Sequence, residues 1–306
     1  MADTIFDVRD PTFHDAVPTD AALQLISTGH TFTEGPIWHP HEGWLVFSDI
    51  AASRQWRWRN GDVTPFRQPS NQANGNFFDA QGRVVSCEHA TSQVVRHEHD
   101  GKLVRPIATH YDGRELNSPN DIVCDAAGRL YFTDPLYGRT RPDLGLVREP
   151  ELGHRGVYRI DPDGRLTLLA DDFENPNGLC FSVDGTRLFV NDSPRGHIRV
   201  FDVADGALSG GGVWADVTGD GSHVEGSEAW VPDGMKTDTT GRIWCNGPGG
   251  VHLFSPDARS LGVVFVPEKS TNFCFGGDGL HDLFVTASTS VYRLRTGATG
   301  LPMIAP

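Results

Sequence analysis

Four short segments of this 306-residue chain carry side chains suited to holding a hard cation. They are Thr33-Glu34-Gly35-Pro36, Ser118-Pro119-Asn120-Asp121, Asn175-Pro176-Asn177-Gly178 and Val231-Pro232-Asp233-Gly234. Each runs directly into an apolar, strand-like stretch: Ile37-Trp38, Ile122-Val123-Cys124, Leu179-Cys180-Phe181 and Met235-Lys236. Two further segments, Asn74-Gly75-Asn76-Phe77-Phe78 and Asn272-Phe273-Cys274-Phe275, occupy the same place in the pattern. Carboxylates from Glu34 and Asp233, with amide oxygens from Asn120 and Asn177, make an oxygen-only donor set. Such a set suits Ca²⁺, Mg²⁺ or Mn²⁺ more than a thiolate-seeking metal. Taken singly, each segment is an ordinary turn, because Asn-Gly, Asp-Gly and Pro-Asn pairs make turns without any metal. Their shared phase is what points to a site.

Positioning such a set needs elements that converge, and the sequence repeats accordingly. Turn residues followed by a short apolar strand recur six times, at His39–Phe47, Asp79–Val85, Asp125–Phe132, Ser182–Val190, Asp238–Trp244 and Gly277–Val285. A second strand phrase trails each copy, as in Gln55-Trp56-Arg57-Trp58, Gly156-Val157-Tyr158-Arg159-Ile160 and Val291-Tyr292-Arg293-Leu294. Six repeats over this length average ~51 residues, the size of a four-stranded blade. The pattern predicts an all-β, six-bladed propeller with four-stranded antiparallel blades, whose inner strands bring the polar segments to the mouth of a central channel. Residues 1–20 read as an irregular, polar N-terminal arm, and residues 21–306 as a single propeller domain. Within it, Ala21–Ile26 reads as a strand that completes the last blade and closes the ring, removing exposed sheet edges.

Composition agrees. The 35 Gly and 20 Pro suit many tight turns, and no long run has helical apolar periodicity. The formal net charge of −14 argues against nucleic acid or an anionic membrane as a partner, since both require a basic face. The closed ring and this charge favour a monomer. The first ten residues lack the basic-then-apolar order of a signal peptide, and no stretch is long and apolar enough to span a membrane. Cys87, Cys124, Cys180, Cys245 and Cys274 fall in strand phrases without a C-x-x-C spacing, which reads as small buried apolar residues in a reducing, cytoplasmic setting.

The longest irregular stretch, Leu136 to Gly153, is expected to form a lid over the channel mouth. His89 is the histidine to consider for catalysis, although a hydrogen-bonded structural role accounts for it equally simply. His97 and His99 flank Glu98 and read as a solvated hairpin end. Arg54-Gln55-Trp56-Arg57-Trp58-Arg59 reads as a strand with Trp inward and Arg outward. A G-x-S-x-G nucleophile elbow and a phosphate-binding loop are both missing from the sequence, which argues against covalent catalysis and nucleotide chemistry.

Read in order, Thr33–Pro36, Asn117–Asp121, Pro176–Leu179 and Pro232–Met235 resemble the SMP-30/gluconolactonase/luciferin-regenerating family. Phe47-Ser48-Asp49-Ile50, Glu88-His89, Tyr131-Phe132-Thr133-Asp134-Pro135, Gly156-Val157-Tyr158-Arg159 and Phe275-Gly276-Gly277 are similar to phrases of its bacterial gluconolactonase-like branch. The resemblance implies one divalent cation on the propeller axis, Ca²⁺ first, with Mg²⁺, Mn²⁺ or Zn²⁺ as alternatives. It implies Glu34, Asn177 and Asp233 as ligands, and Asn120 as a further ligand or a substrate contact beside the metal. Animal members have an Arg two residues before the Asn of the Asn120 phrase, in contact with the sugar. Here that position is Ser118, so that contact would have to come from elsewhere, such as Arg139 or Arg141.

The expected function is metal-dependent hydrolysis of a sugar lactone to the sugar acid. A cation polarises the lactone carbonyl, Asp233 takes the proton from water, and Asn74, Asn76, Glu88, His89 and Asn120 meet the sugar hydroxyls. The alternatives are an esterase, phosphotriesterase or non-sugar lactonase using the same metal site, or a non-catalytic ligand-binding propeller.

Overall fold

The computed structural model describes residues 5–98, 103–217 and 230–303. Six sheets, each of at least four antiparallel strands, form a six-bladed β-propeller. From the axis outwards, blade I is Thr33–His39, Trp44–Asp49, Arg54–Arg59 and Asp62–Arg67. Blade II is Ala73–Phe78, Val84–Glu88, Gln93–His97 and Val104–Ala108. Blade III is Ile122–Cys124, Leu130–Asp134, Gly156–Ile160 and Leu166–Ala170. Blade IV is Pro176–Phe181, Arg187–Asp192, His197–Ala204 and Ala207–Asp216. Blade V is Met235–Thr237, Ile243–Gly247, Gly250–Phe254 and Ser260–Phe265. Blade VI is Ser270–Gly276, Asp282–Ala287 and Ser290–Arg295, completed by Leu23–Thr28. Pairing of Leu23–Thr28 with Ser290–Arg295 ties the two ends of the chain into one sheet and closes the ring. Among the described residues, no helix is long and apolar enough to cross a membrane.

The recurring Asp-x-x-Gly-Arg phrase is a self-capped hairpin. Asp79 Oδ1 accepts the backbone N–H groups of Gln81 and Arg83 while Oδ2 pairs with the Arg83 guanidinium. Asp125 does the same for Ala127 and Arg129, and Asp238 for Thr240 and Arg242. One carboxylate thus satisfies two turn donors and fixes the register of the strands that follow.

Among the described residues the apolar core divides into six clusters, one at each blade interface. Trp38 of blade I stacks on Phe284 of blade VI at 5.2 Å, and Trp244 of blade V meets Phe275 of blade VI edge-on at 5.4 Å. Each blade is therefore apolar on both faces, which explains the continuous buried runs in second strands such as Trp44–Asp49 and Leu130–Asp134.

Three sequence readings need correction. Phe6–Val8, read within an irregular arm, pairs with Ser260–Phe265 as a fifth strand of blade V, and Phe13 of the 3₁₀ turn Pro11–Asp15 is fully buried between blades V and VI. His97 is not solvated: strand alternation turns it towards blade I, where it stacks on Phe66. Burial there pushes its pKa down to about 3. Its companion His99 lies outside the described residues. Arg57 and Arg59 are exposed and Trp58 is buried as expected, but Gln55, on the face shared with the arginines, is buried against blade II, bonded to Asn76 and Ser86.

Candidate active site

The inner strands begin with the polar segments, and two backbone devices aim them at the axis. First, the end of the second strand carries a hydroxyl or amide followed by Asp. Ser48, Thr133 and Asn191 donate to the carbonyl oxygens of Asn74, Asn177 and Asp233 in the next blade, at 2.7, 2.8 and 2.5 Å. The adjacent Asp49, Asp134 and Asp192 accept backbone N–H groups from the entry loop of their own blade: Thr31 and Phe32, Asn117, and Glu174 and Asn175. Each entry loop is thereby held from below and from the side.

Second, glycine follows the functional residue where blades approach most closely. A Cβ on Gly35 would collide with the Asn74 carbonyl oxygen, and one on Gly178 with that of Asp233. Gly35 also has φ of 52°, a left-handed conformation that glycine adopts without strain.

The result is a pocket of about 110 Å³ at one mouth of the channel. Glu34, Asn74, Asn120, Asn177, Asp233 and His89 all line it, joined by Phe32, Ile50, Tyr137, Arg141, Leu144, Val231 and Lys269. Glu34 is buried, and its Oε2 accepts from Gly35 N–H and from Asn272 Nδ2 at 3.1 Å. Asp233 is half-buried and close enough to Glu34 for a proton to be shared between them. Burial first, and then the neighbouring charges of Asp233 and Asp121, hold the Glu34 carboxyl well above the usual range. Burial also lifts Asp233, to about 7, against the opposing pull of Lys269. Two carboxylates crowded in a low-dielectric pocket are strained as anions, and a dication between them removes both the repulsion and the desolvation cost.

The amides complete the donor set. Ser193 Oγ spends its proton on the Pro232 carbonyl, so it accepts from Asn177 Nδ2 at 3.1 Å. That fixes the Asn177 amide and leaves its oxygen for the pocket. The Asn120 side chain has no hydrogen-bond partner among the described residues. The donors present therefore fit a hard cation in kind, with the rest of its shell left to water or substrate.

His89 is fully buried and its pKa falls to about 4 through desolvation, so the ring is neutral near pH 7. Its Nδ1 meets the Leu144 carbonyl at 3.0 Å, which can only accept. Nε2 is therefore the acceptor for Asn74 Nδ2 at 3.2 Å. This orients Asn74, whose Oδ1 is buried in the pocket wall without a partner among the described residues.

Asn76 and Glu88 do not line the pocket. Asn76 is saturated by Gly35 O, Ser48, Asn74 O, Gln55 and Ser86, and it fastens blade I to blade II. Glu88 pairs with Arg67 at 2.5 Å and accepts from Asn71 and Thr91. Ser118 donates to Pro135 O and accepts from Gly138 N, which fastens the long loop. Arg139 is buried and committed to Asn117 O, Leu116 O, Glu149 O and Glu115, whereas Arg141 reaches the pocket. The stretch 136–153 thus forms a wall, with the helix Tyr137–Thr140 at its base. Lys269 and Tyr137 were not legible as site residues. Lys269 could have been found at the position three residues before Asn272, as Phe32 and Val231 stand two residues before Glu34 and Asp233. Tyr137 lies in non-repeating sequence and carries no such signal.

A six-bladed propeller with an oxygen-donor pocket at its channel mouth is the class this fold and site define. The model of the SMP-30/gluconolactonase/LRE-like region matches residues 32–289, and the chain belongs to that family. A gluconolactonase of Zymomonas mobilis is 30% identical, the match covering 97% of this chain and 85% of the relative. A pentonolactonase of Haloferax volcanii is 27% identical over 91% of this chain and 96% of its own length. The solved structure of a gluconolactonase from Xanthomonas campestris superposes with a TM-score of 0.87 at 33% identity, covering 95% of this chain and 94% of that one.

Proposed function

We infer that this protein hydrolyses a sugar lactone to the sugar acid with the help of a divalent cation. The observation that carries the reading is the convergence of Glu34, Asn120, Asn177 and Asp233 on one pocket whose remaining wall is rich in hydrogen-bonding groups. The family's gluconolactonase and pentonolactonase members support the substrate class.

Glu34, Asn177 and Asp233 would hold the cation, with Asn120 beside them as a fourth ligand or as a substrate contact; Ca²⁺ suits this set best. When bound, the cation supplies a Lewis acid for the lactone carbonyl oxygen. Asp233, the more exposed of the two carboxylates, takes a proton from the attacking water. The water oxygen bonds to the carbonyl carbon, the ring C–O bond breaks, and the ring oxygen leaves as a hydroxyl after gaining the proton that Asp233 took from the water, which returns the carboxylate. Asn74 Oδ1 and Asn120 meet sugar hydroxyls, and neutral His89 holds Asn74 in register. Arg141 and Tyr137 complete the polar wall. Asn76 and Glu88 serve the same pocket at one remove, through Gly35 and the blade I–II seam.

A panel of aldonolactones, non-sugar lactones and a phosphotriester, assayed by acid release, tests the substrate class. Aldonolactones are expected to turn over fastest. A phosphotriester or a simple aliphatic lactone ranking first would reassign the site to the corresponding esterase chemistry.

A further inference from the structure

The channel has a second pocket at its other end, formed by residues further along the same inner strands. Three residues along from the mouth residues Asn74, Asn120, Asn177 and Asp233, and from Asn272 beside Glu34, the far end has Phe77, Val123, Cys180, Lys236 and Phe275, closed on one side by Leu301–Met303. Three residues of strand displace the two sets by roughly 10 Å along the channel. This cavity measures about 130 Å³, close to the ~150 Å³ that accommodates a benzene ring in a protein interior.

Its walls are apolar except for Lys236 and the Thr237 hydroxyl, which donates to the Phe181 carbonyl; Lys236 is the only lysine, arginine or carboxylate among the lining residues. One Lys236 N–H donates to Asn272 Oδ1 at 3.2 Å, and the ammonium lies 5.8 Å from the centre of the Phe273 ring. Asn272 Nδ2 in turn donates to Glu34, so the amide cannot flip and the lysine's direction is fixed. An ammonium has three donors, and the described residues engage one of them. Asp121 contributes a negative field at Lys236 but is not in ion-pair contact with it and does not line this cavity.

A ring-sized apolar cavity with one half-buried ammonium calls for a ligand that is apolar at one end and anionic at the other. We propose that the far end of the channel is a second binding site, for a small aromatic or branched monocarboxylate whose carboxylate pairs with Lys236. A neutral apolar guest leaves two of the three ammonium donors without an acceptor among the described residues, and a dianion brings a second charge against Phe77, Val123 and Phe275. The site is independent of the lactone reading, since none of its lining residues lines the mouth pocket.

The test uses the full protein with benzoate as probe and benzyl alcohol as its neutral counterpart, titrated calorimetrically. Benzoate is expected to saturate one site more tightly than benzyl alcohol. Lys236→Met is expected to weaken benzoate by about tenfold or more, as loss of a charge-assisted hydrogen bond does, and to leave benzyl alcohol unchanged. Equal affinity of the two probes for the native protein, or no binding of either, overturns the proposal. A second reading follows the native protein directly. The chain has 3 Met, so methyl-labelled methionine gives a simple spectrum, and Met303 lines the cavity. Its resonance, assigned with Met303→Leu, is expected to shift saturably with benzoate; an unmoved resonance overturns the proposal.

Discussion

At the scale of single residues, the mouth pocket is organised by an electrostatic conflict. Glu34 and Asp233 are held together by backbone devices although burial and mutual repulsion oppose their ionisation. Asp233→Asn removes one charge at almost constant shape. It is expected to lower lactone turnover at least about a hundredfold, the lower end of the range for loss of a general base. It is also expected to raise the melting temperature of the cation-free protein, because the repulsion disappears. Thermal denaturation in chelator, alongside the rate assay, checks both halves. The pH dependence follows with a definite sign. In the unfolded chain both carboxyls ionise near pH 4. In the cation-free fold they keep their protons longer, Asp233 to about 7, so the fold binds protons that the unfolded chain has released. This pair's contribution to stability therefore falls as pH rises from about 4 to 7. A dication reverses that penalty, and the melting-point gain from added Ca²⁺ is expected to be larger at pH 8 than at pH 5. The difference between native protein and Asp233→Asn isolates the pair from other titrating groups. A gain independent of pH would place the cation elsewhere.

At the scale of elements, the question is what makes a loop-to-strand entry a precise ligand. The hydroxyl-or-amide-then-Asp pairs Ser48-Asp49, Thr133-Asp134 and Asn191-Asp192 hold one blade's entry loop together with the next blade's Asn74, Asn177 or Asp233 carbonyl. Asn191→Ala leaves the Asp233 carbonyl without its donor, at an expected cost of about 1–3 kcal/mol. Its diagnostic effect is a weaker calcium titration at unchanged pocket charge. Arg139 anchors the long loop from inside, with its side chain 1% exposed. Arg139→Ala is expected to destabilise by about 1–3 kcal/mol, because the buried carbonyls of Asn117 and Leu116 lose their donor, and to raise KM more than it lowers kcat, because Arg141 and Tyr137 lose their footing. The polar entries were legible in the sequence because they share the period of the repeat. The anchoring role of Ser118 and Arg139 was not, because it depends on contacts within non-repeating residues 136–153. Asn76 and Glu88 show the limit from the other side. Asn76 is two residues from Asn74, but the register shift between Ala73 and Asn76 breaks the alternation, and Glu88 ends the second strand of blade II rather than the inner one.

At the scale of the whole molecule, six interface clusters and one closed ring make the propeller. The number of blades and the closing strand could be read from repetition, since each repeat buries its faces only against its neighbours. The role of the first residues could not. Phe13 stands in a short polar stretch with no periodicity, and its partners in blades V and VI lie far along the chain. Phe13→Ala is expected to cost about 3–5 kcal/mol, the usual range for emptying a buried aromatic site, and urea denaturation would show it. A change below about 1 kcal/mol would mean that the N-terminal segment is an appendage after all.

The measurement that bears most directly on the central claim is the rate of aldonolactone opening by metal-stripped protein, with and without added Ca²⁺, for the native chain and Asp233→Asn in parallel. The account predicts cation-dependent acid release by the native protein and its near-complete loss in the variant, with the fold intact by circular dichroism. Background rates in every cation, or equal rates for the two proteins, would contradict it.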